Sequence, residues 1–301
     1  MTVSTPALTR TTGESSHSGA YTLALIAVAS FAMTLPATKA LTGMLSAQQI
    51  GLYRAVIAAM AAIPLLWLAR AAWPRREQWL SLAIVSGGNI FGFPLLTSVA
   101  MQYVPVSHGA VIVAAMPLAT ALAAAVLSGI RPPRRFWLYA CSGTLIVLLY
   151  SLWQSGAAGL YVGDLALVGA VLLGAIGYAK GAELSQQMPG WQVISWVVVL
   201  SLPVSLPWSV WVYTPGSLSQ LPTIGWSALL YIGLVSSLLG FFAWNKALAL
   251  GGVARISQVQ LLQPFLTYGY SIVLLGESWN WLTAIVCALV IGVVWLSKRQ
   301  P

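Results

Sequence analysis

Charge is what this chain has least of. Five Asp and Glu and fourteen Lys and Arg are spread over 301 residues, so 6% of the chain is charged while 59% is hydrophobic. That is too little polar surface to coat a soluble globule of this length, and lipid must replace water over most of the outside. Cysteine is nearly absent: Cys141 and Cys287 lie inside apolar stretches, which excludes a disulfide framework and leaves them as small packing residues. The two His and five carboxylates are scattered without metal-ligand spacing, so neither a metal nor another cofactor is implied. A GxxxxGKS/T phosphate loop and an HExxH helix are both missing, and no soluble stretch could house either. ATP-driven pumping and hydrolysis therefore lack a visible engine. A membrane enzyme would need a nucleophile, an acid–base pair or a metal at one pocket, and the sequence supplies none.

Long apolar runs are what is there. Ten stretches near 20–38, 48–69, 78–101, 106–129, 135–152, 163–183, 191–212, 224–248, 254–275 and 280–297 are each long enough to cross a bilayer as a helix, numbered here as spans one to ten. With both termini cytoplasmic, Arg10, Arg70, Arg75, Arg76, Arg131, Arg134, Arg135, Lys180, Lys246, Arg255, Lys298 and Arg299 fall on the inner side, twelve of the fourteen cations. Only Lys39 lies toward the outside, and Arg54 is within a span. Topology thus explains the net charge of +9 without any nucleic-acid partner. Trp73, Trp79, Trp137, Trp153, Trp191, Trp226, Trp279 and Trp295 sit near span ends, as interfacial anchors do. Residues 1–19 form a Ser/Thr-rich, disordered cytoplasmic tail. The run after it ends in Lys39 rather than in a small-residue cleavage site, so it reads as a span and not as a secretory signal.

Residues 79–130 align with 226–277 without a gap at a constant offset of 147. Trp79 pairs with Trp226, Ala100 with Ala247, Val106 with Val253, Pro117 with Pro264 and Gly129 with Gly276. Arg131, Arg134 and Arg135 follow the first copy, while Ser278, Trp281 and Leu282 stand at the matched positions of the second. A basic loop in one half is an uncharged loop in the other, the mark of an inverted repeat. The expected fold is an all-α polytopic membrane protein with ten transmembrane helices in two inverted five-helix repeats, 20–152 and 163–297.

Polar residues inside the spans are the candidate site. Pro117 and Pro264 fall mid-span, where each frees a backbone carbonyl that needs a partner or a polar cavity; a tolerated kink is the alternative. In span nine Ser257, Gln260, Gln263 or Pro264, and Thr267 recur every three or four residues and stack on one helical face, to meet either a solute or a neighbouring helix. Asn89 in span three and Trp244 and Asn245 in span eight are further solute contacts or packing residues. Span one carries the row Ser30, Thr34 and Thr38, whose hydroxyls can also bond back to their own helix. Arg54 must snorkel to the outer interface, pair with Asp164 or a carbonyl, or meet a substrate carboxylate. Lys39 and Lys180 end spans one and six on opposite sides, as interfacial or gating residues, and His108 is a hydrogen-bonded interface residue or a proton carrier. No carboxylate lies deep in any span, which disfavours proton coupling through Asp or Glu.

The segments LYRAVIAAM in span two, AMPLATALAAAVLSG in span four, AWNKAL closing span eight and LLQPFLTYGYSIVLLGE in span nine resemble the EamA repeats of the drug/metabolite transporter superfamily. The resemblance covers residues 20 to 297 and departs at the end of span four, where Gly129 is followed by Ile130 rather than by Glu. It implies a central cavity lined by spans one, three, four, six, eight and nine, and export or exchange of amino acids or related metabolites across the bacterial inner membrane. The partners expected are a small-molecule substrate and the lipid bilayer, with the oligomeric state left open and a monomer among the options. A channel, or a scaffold without transport activity, are the competing readings.

Overall fold

The computed structural model describes residues 12–127, 162–251, 256 and 259–298, together with 138–139, 141–143, 145–146, 149–150 and 153. Ser257 lies outside the described residues, as do Arg10, Arg131, Arg134, Arg135, Arg255, Arg299 and most of span five.

Seven helices are 22 to 28 residues long and apolar enough to cross a bilayer: Gly19–Leu41, Ala47–Leu68, Arg76–Tyr103, Val106–Leu127, Val162–Leu184, Gly190–Trp211 and Thr223–Leu250. The shorter apolar helices Val259–Leu275 and Trp281–Val293 follow. They fall on spans one to four and six to ten. Helix is forced here, because hydrocarbon offers no partner for a backbone N–H or C=O and every such group must be satisfied within its own segment. Side chains are sorted for lipid rather than for water. Trp67, Leu80, Trp211 and Val273 are more than 70% exposed, whereas Thr97, Ser98, Ser195, Ser205 and Ser271 are fully buried. The chain is an all-α polytopic membrane protein.

Ends are set by local chemistry. Ser46 caps span two, accepting from the Gln49 N–H at 3.2 Å while its own N–H donates to Gln49 Oε1 at 2.9 Å. The Gln49 amide then donates to Val212 O and Thr214 Oγ1, joining the start of span two to the end of span seven. Gly276 closes span nine with φ of 69°, a left-handed turn that a residue with a Cβ adopts at a cost, and this turn carries Glu277 back over the bundle.

Packing runs across the halves: span one lies on span eight, two on seven, three on six and four on nine. Exchanging the first five spans for the last five converts the one–eight pair into the six–three pair and maps two–seven and four–nine onto themselves. Spans four and nine, matched by the offset of 147, run antiparallel, since Glu277 beyond the end of span nine meets Val106 at the start of span four. Spans three and six approach closely, so that a Cβ on Gly88 would strike the Leu173 carbonyl oxygen. Lys39, His108, Asp164 and Glu277 come to one face of the bundle, and Arg70, Arg75, Arg76, Lys180 and Lys246 to the opposite one.

Candidate functional site

Five of the described helices lose regular α geometry inside the bundle, four of them at positions related by the repeat. In span four the helix Val106–Val113 stops, Ala114 and Ala115 turn, and Met116–Leu127 begins anew with Pro117 as its second residue. In span nine a 3-10 turn, Val259–Leu262, gives way to Gln263–Leu275 with Pro264 second. Met116 and Gln263 are 147 residues apart. Proline fits the first turn of a helix, where its missing N–H has no partner to lose, so each one starts a half-helix instead of kinking a continuous one. The matched pair in spans three and eight is of another kind. Ser86–Gly92 and Tyr231–Leu239 are π-helical, and the first, shifted by 147, falls wholly within the second. Pro94 withholds the N–H that Ile90 O would accept in an α-helix. In span eight, where Phe241 takes that place, the Ser237 hydroxyl donates to Ile232 O at 2.7 Å.

Span one breaks after Ala32, because Pro36 has no N–H to return to the Ala32 carbonyl. Thr267 of span nine donates its hydroxyl to that carbonyl at 3.0 Å. Two residues on, the Thr34 and Ser236 hydroxyls share a hydrogen bond of 2.7 Å. Arg54 of span two completes this cluster. It is 4% exposed, so it does not snorkel, and it meets neither Asp164 nor a carbonyl. Its Nε and Nη2 donate to Ser237 Oγ at 3.1 and 2.9 Å, and Nη2 also reaches Ser236 Oγ at 3.3 Å. Nη1 is buried without a partner. One turn further along span eight stands a group of rings: Phe31 lies 4.9 Å from Phe241 and 6.4 Å from Trp244, and Tyr178 lies 5.8 Å from Phe241.

Between the breaks of spans four and nine is a cavity of about 20 Å³ lined by Ala114, Met116, Pro117, Gln260, Gln263, Pro264 and Thr267. That is room for about one water molecule. The expected residues of span nine thus gather at one point, but an amino acid does not fit there as the helices stand. Asn89 is half-buried on the π-helical segment, with its amide oxygen against Gly177 of span six. Asn245 donates to Gly190 O at 2.9 Å, which ties span eight to the start of span seven, and Trp244 is buried among the rings.

The expected gating residues split between the faces. Lys180 donates to Glu183 at 2.7 Å on the basic face. On the other, Lys39 Nζ donates to the Met101 and Val104 carbonyls at 2.7 and 3.0 Å, holding the end of span three. His108 pairs with Asp164 across spans four and six, stacked on Tyr150 at 5.3 Å, and Tyr150 bonds Thr283 of span ten at 2.9 Å. Glu277 accepts from the Val106 and Ser107 N–H groups at 2.7 and 3.0 Å, a carboxylate on a helix N-terminus. Ser236, Ser237, Phe241 and Tyr178 escaped the sequence reading. The repeat held one signal for them, since Ser236 occupies the place of Asn89.

The sequence model of the EamA-like transporter family matches residues 18–152 and 161–298. The uncharacterized transporter YdeK of Bacillus subtilis (strain 168) is 38% identical over 274 residues, 91% of this chain and 95% of that protein. The uncharacterized transporter YyaM of the same organism is 24% identical over 196 residues, 64% of each chain. A solved crystal structure superposes with a TM-score of 0.64 over 94% of this chain and 98% of the other, at 16% identity, a likeness of fold alone.

Proposed function

We propose, from the premise that this chain belongs to the EamA-like transporter family, that it moves an amino acid or a related small metabolite across the bacterial inner membrane by alternating access, as an exporter or exchanger. It is a multi-pass secondary transporter and not an enzyme. In our reading its ten spans form two inverted halves, 20–152 and 163–297, with both termini cytoplasmic. The observation that carries the reading is the register of the helix irregularities: half-helices begin at Met116 and Gln263, and π-helical segments recur at Ser86–Gly92 and within Tyr231–Leu239. Irregular backbone at membrane depth is tolerated where it is buried in protein or lines a cavity, and paired discontinuous helices are where secondary transporters place their substrate.

On this reading the face bearing Glu277 is the outer one and is closed, latched across the halves by Glu277 and the His108–Asp164 pair, while Lys39 ties span one to span three within the first half. Separation of the halves there would widen the water-sized cavity into a site among Asn89, Pro117, Gln260, Gln263, Pro264 and Thr267. The experiment is counterflow in proteoliposomes with labelled amino acids and metabolites. Saturable uptake driven by an internal pool of the same solute is the expected result. Linear flux without counterflow would mean a channel, and no flux from folded protein across the panel would mean a scaffold. Gln260→Ala and Gln263→Ala are expected to lower flux about tenfold, through lost contacts worth about 1.4 kcal/mol, while leaving the fold intact. Unchanged flux in both would remove span nine from the site.

A further inference from the structure

Building on the transport reading, we propose that Arg54 is the anion-binding centre of this protein and that its solute carries a carboxylate, received on the unpartnered Nη1 of the guanidinium. The argument begins with charge. Asp164 is paired with His108, Glu183 with Lys180, and Glu277 with two backbone N–H groups, while Glu77 is exposed on the basic face. Among the side chains described no carboxylate is left to neutralise Arg54, which lies buried inside a membrane span. A buried guanidinium held by neutral hydroxyls alone is costly, and arginine at membrane depth that is neither snorkelling nor paired marks a solute path.

The geometry says where an anion would sit. Ser237 directs its own hydrogen at Ile232 O, so it offers only lone pairs to the Nε and Nη2 edge of Arg54 and holds that edge in place. The two N–H groups of Nη1 remain, each able to donate a charge-assisted hydrogen bond to a carboxylate oxygen. Thr34 and Ser236 stand beside the guanidinium with hydroxyls bonded to each other, free to turn toward a carboxylate oxygen. Both serines belong to a π-helical segment, a wide turn of the kind frequent at functional sites. Phe31, Phe241 and Tyr178, one turn further toward the basic face, would flank the apolar body of the solute. Arg54 is enclosed as the bundle stands, and the Glu277 face is latched, so the solute reaches it when spans one, six and eight part at these rings.

The test compares acids with their neutral amides on the purified, full-length protein. Thermal protection is measured with acetate, 3-phenylpropanoate and neutral L-amino acids, each against its amide, and with inorganic phosphate. At least one acid is expected to bind about 10- to 100-fold more tightly than its amide, the range of a charge-assisted hydrogen bond. Arg54→Gln is expected to bring acid and amide within about twofold of each other, and Arg54→Lys to keep part of the preference. Ser236→Ala removes a hydroxyl that would turn toward the carboxylate and keeps the charge, so it should weaken acid binding about threefold or more while leaving amide binding within about twofold, even if Arg54→Gln fails to fold. Equal protection by acids and amides, a preference that survives Arg54→Gln, protection by phosphate alone, or acid binding that Ser236→Ala leaves unchanged overturns the assignment. Counterflow separates the two readings. Acid binding without counterflow keeps the Arg54 site and removes transport, whereas counterflow that ignores the carboxylate and Arg54→Gln does the reverse.

Discussion

Removing the Glu277 carboxylate should open the face that bears it. Its two oxygens accept from the Val106 and Ser107 N–H groups at 2.7 and 3.0 Å, joining the end of span nine to the first turn of span four. A hydrogen bond to a charged group contributes about 1.5–3 kcal/mol, and a carboxylate at a helix N-terminus adds about 0.3–1 kcal/mol. Glu277 is only half-buried, so water recovers much of this when the contact parts. About 1–2 kcal/mol remains, a factor of about 5 to 30 in the balance between latched and open forms. The assay replaces Cys141 and Cys287 by Ala and places a reporter thiol at Ala110, buried in span four beside the small cavity. A membrane-impermeant maleimide applied from the Glu277 side should label the reporter about 5 to 30 times faster in Glu277→Ala. Glu277→Gln, which keeps one acceptor oxygen and loses the charge, should fall between. Rates within about twofold of the parent in both variants, with melting still cooperative, would refute the latch.

Two further outcomes follow from buried partners. Thr267→Val should cost about 1–3 kcal/mol of stability, because it leaves the Ala32 carbonyl at the span-one break without its donor, while Thr267→Ser should recover most of the loss; denaturant midpoints in detergent measure both. Asp164→Leu should cost about 3–5 kcal/mol by leaving His108, 2% exposed, facing apolar neighbours. The double change His108→Phe/Asp164→Leu should restore part of it, and losses that simply add would show that the pair is not coupled.

The helices and their register were legible in the sequence because lipid imposes a crude demand, about twenty apolar residues per crossing, and a duplicated sequence keeps its punctuation. Pro117 and Pro264 were visible for the same reason, although they start half-helices, where a freed mid-span carbonyl or a kink was expected. Contacts that join distant segments were not legible. Arg54 and Ser237 are 183 residues apart, and nothing in the apolar run of span eight distinguishes a serine that bonds its own helix from one that also holds a guanidinium. The π-helical turns were equally hidden: Pro94 marks one, and the other has Phe241 where that proline would stand. Thr267 stood on a face that could meet either a solute or a neighbouring helix, and its hydroxyl satisfies the carbonyl of a helix broken 235 residues earlier.

The two faces of the bundle differ in chemistry more than in fold. By the same offset Glu277 corresponds to Ile130, and Val106 to Val253, so a carboxylate latch can form where span nine ends over span four, and no carboxylate stands at the corresponding position where span four ends. Lys39 and the His108–Asp164 pair add to the same side. Two related halves packed about a pseudo-two-fold would give closed-out and closed-in forms of nearly equal energy, and a transporter needs such a balance if neither form is to trap its solute. A one-sided latch of about 1–2 kcal/mol is small enough to leave both forms populated and large enough to set which one prevails without solute. Arg54 supplies the opposing pull: a guanidinium lacking a counter-charge disfavours the enclosed state until an anion arrives, so a solute carboxylate would lower the cost of closing over the site and so permit the exchange of faces.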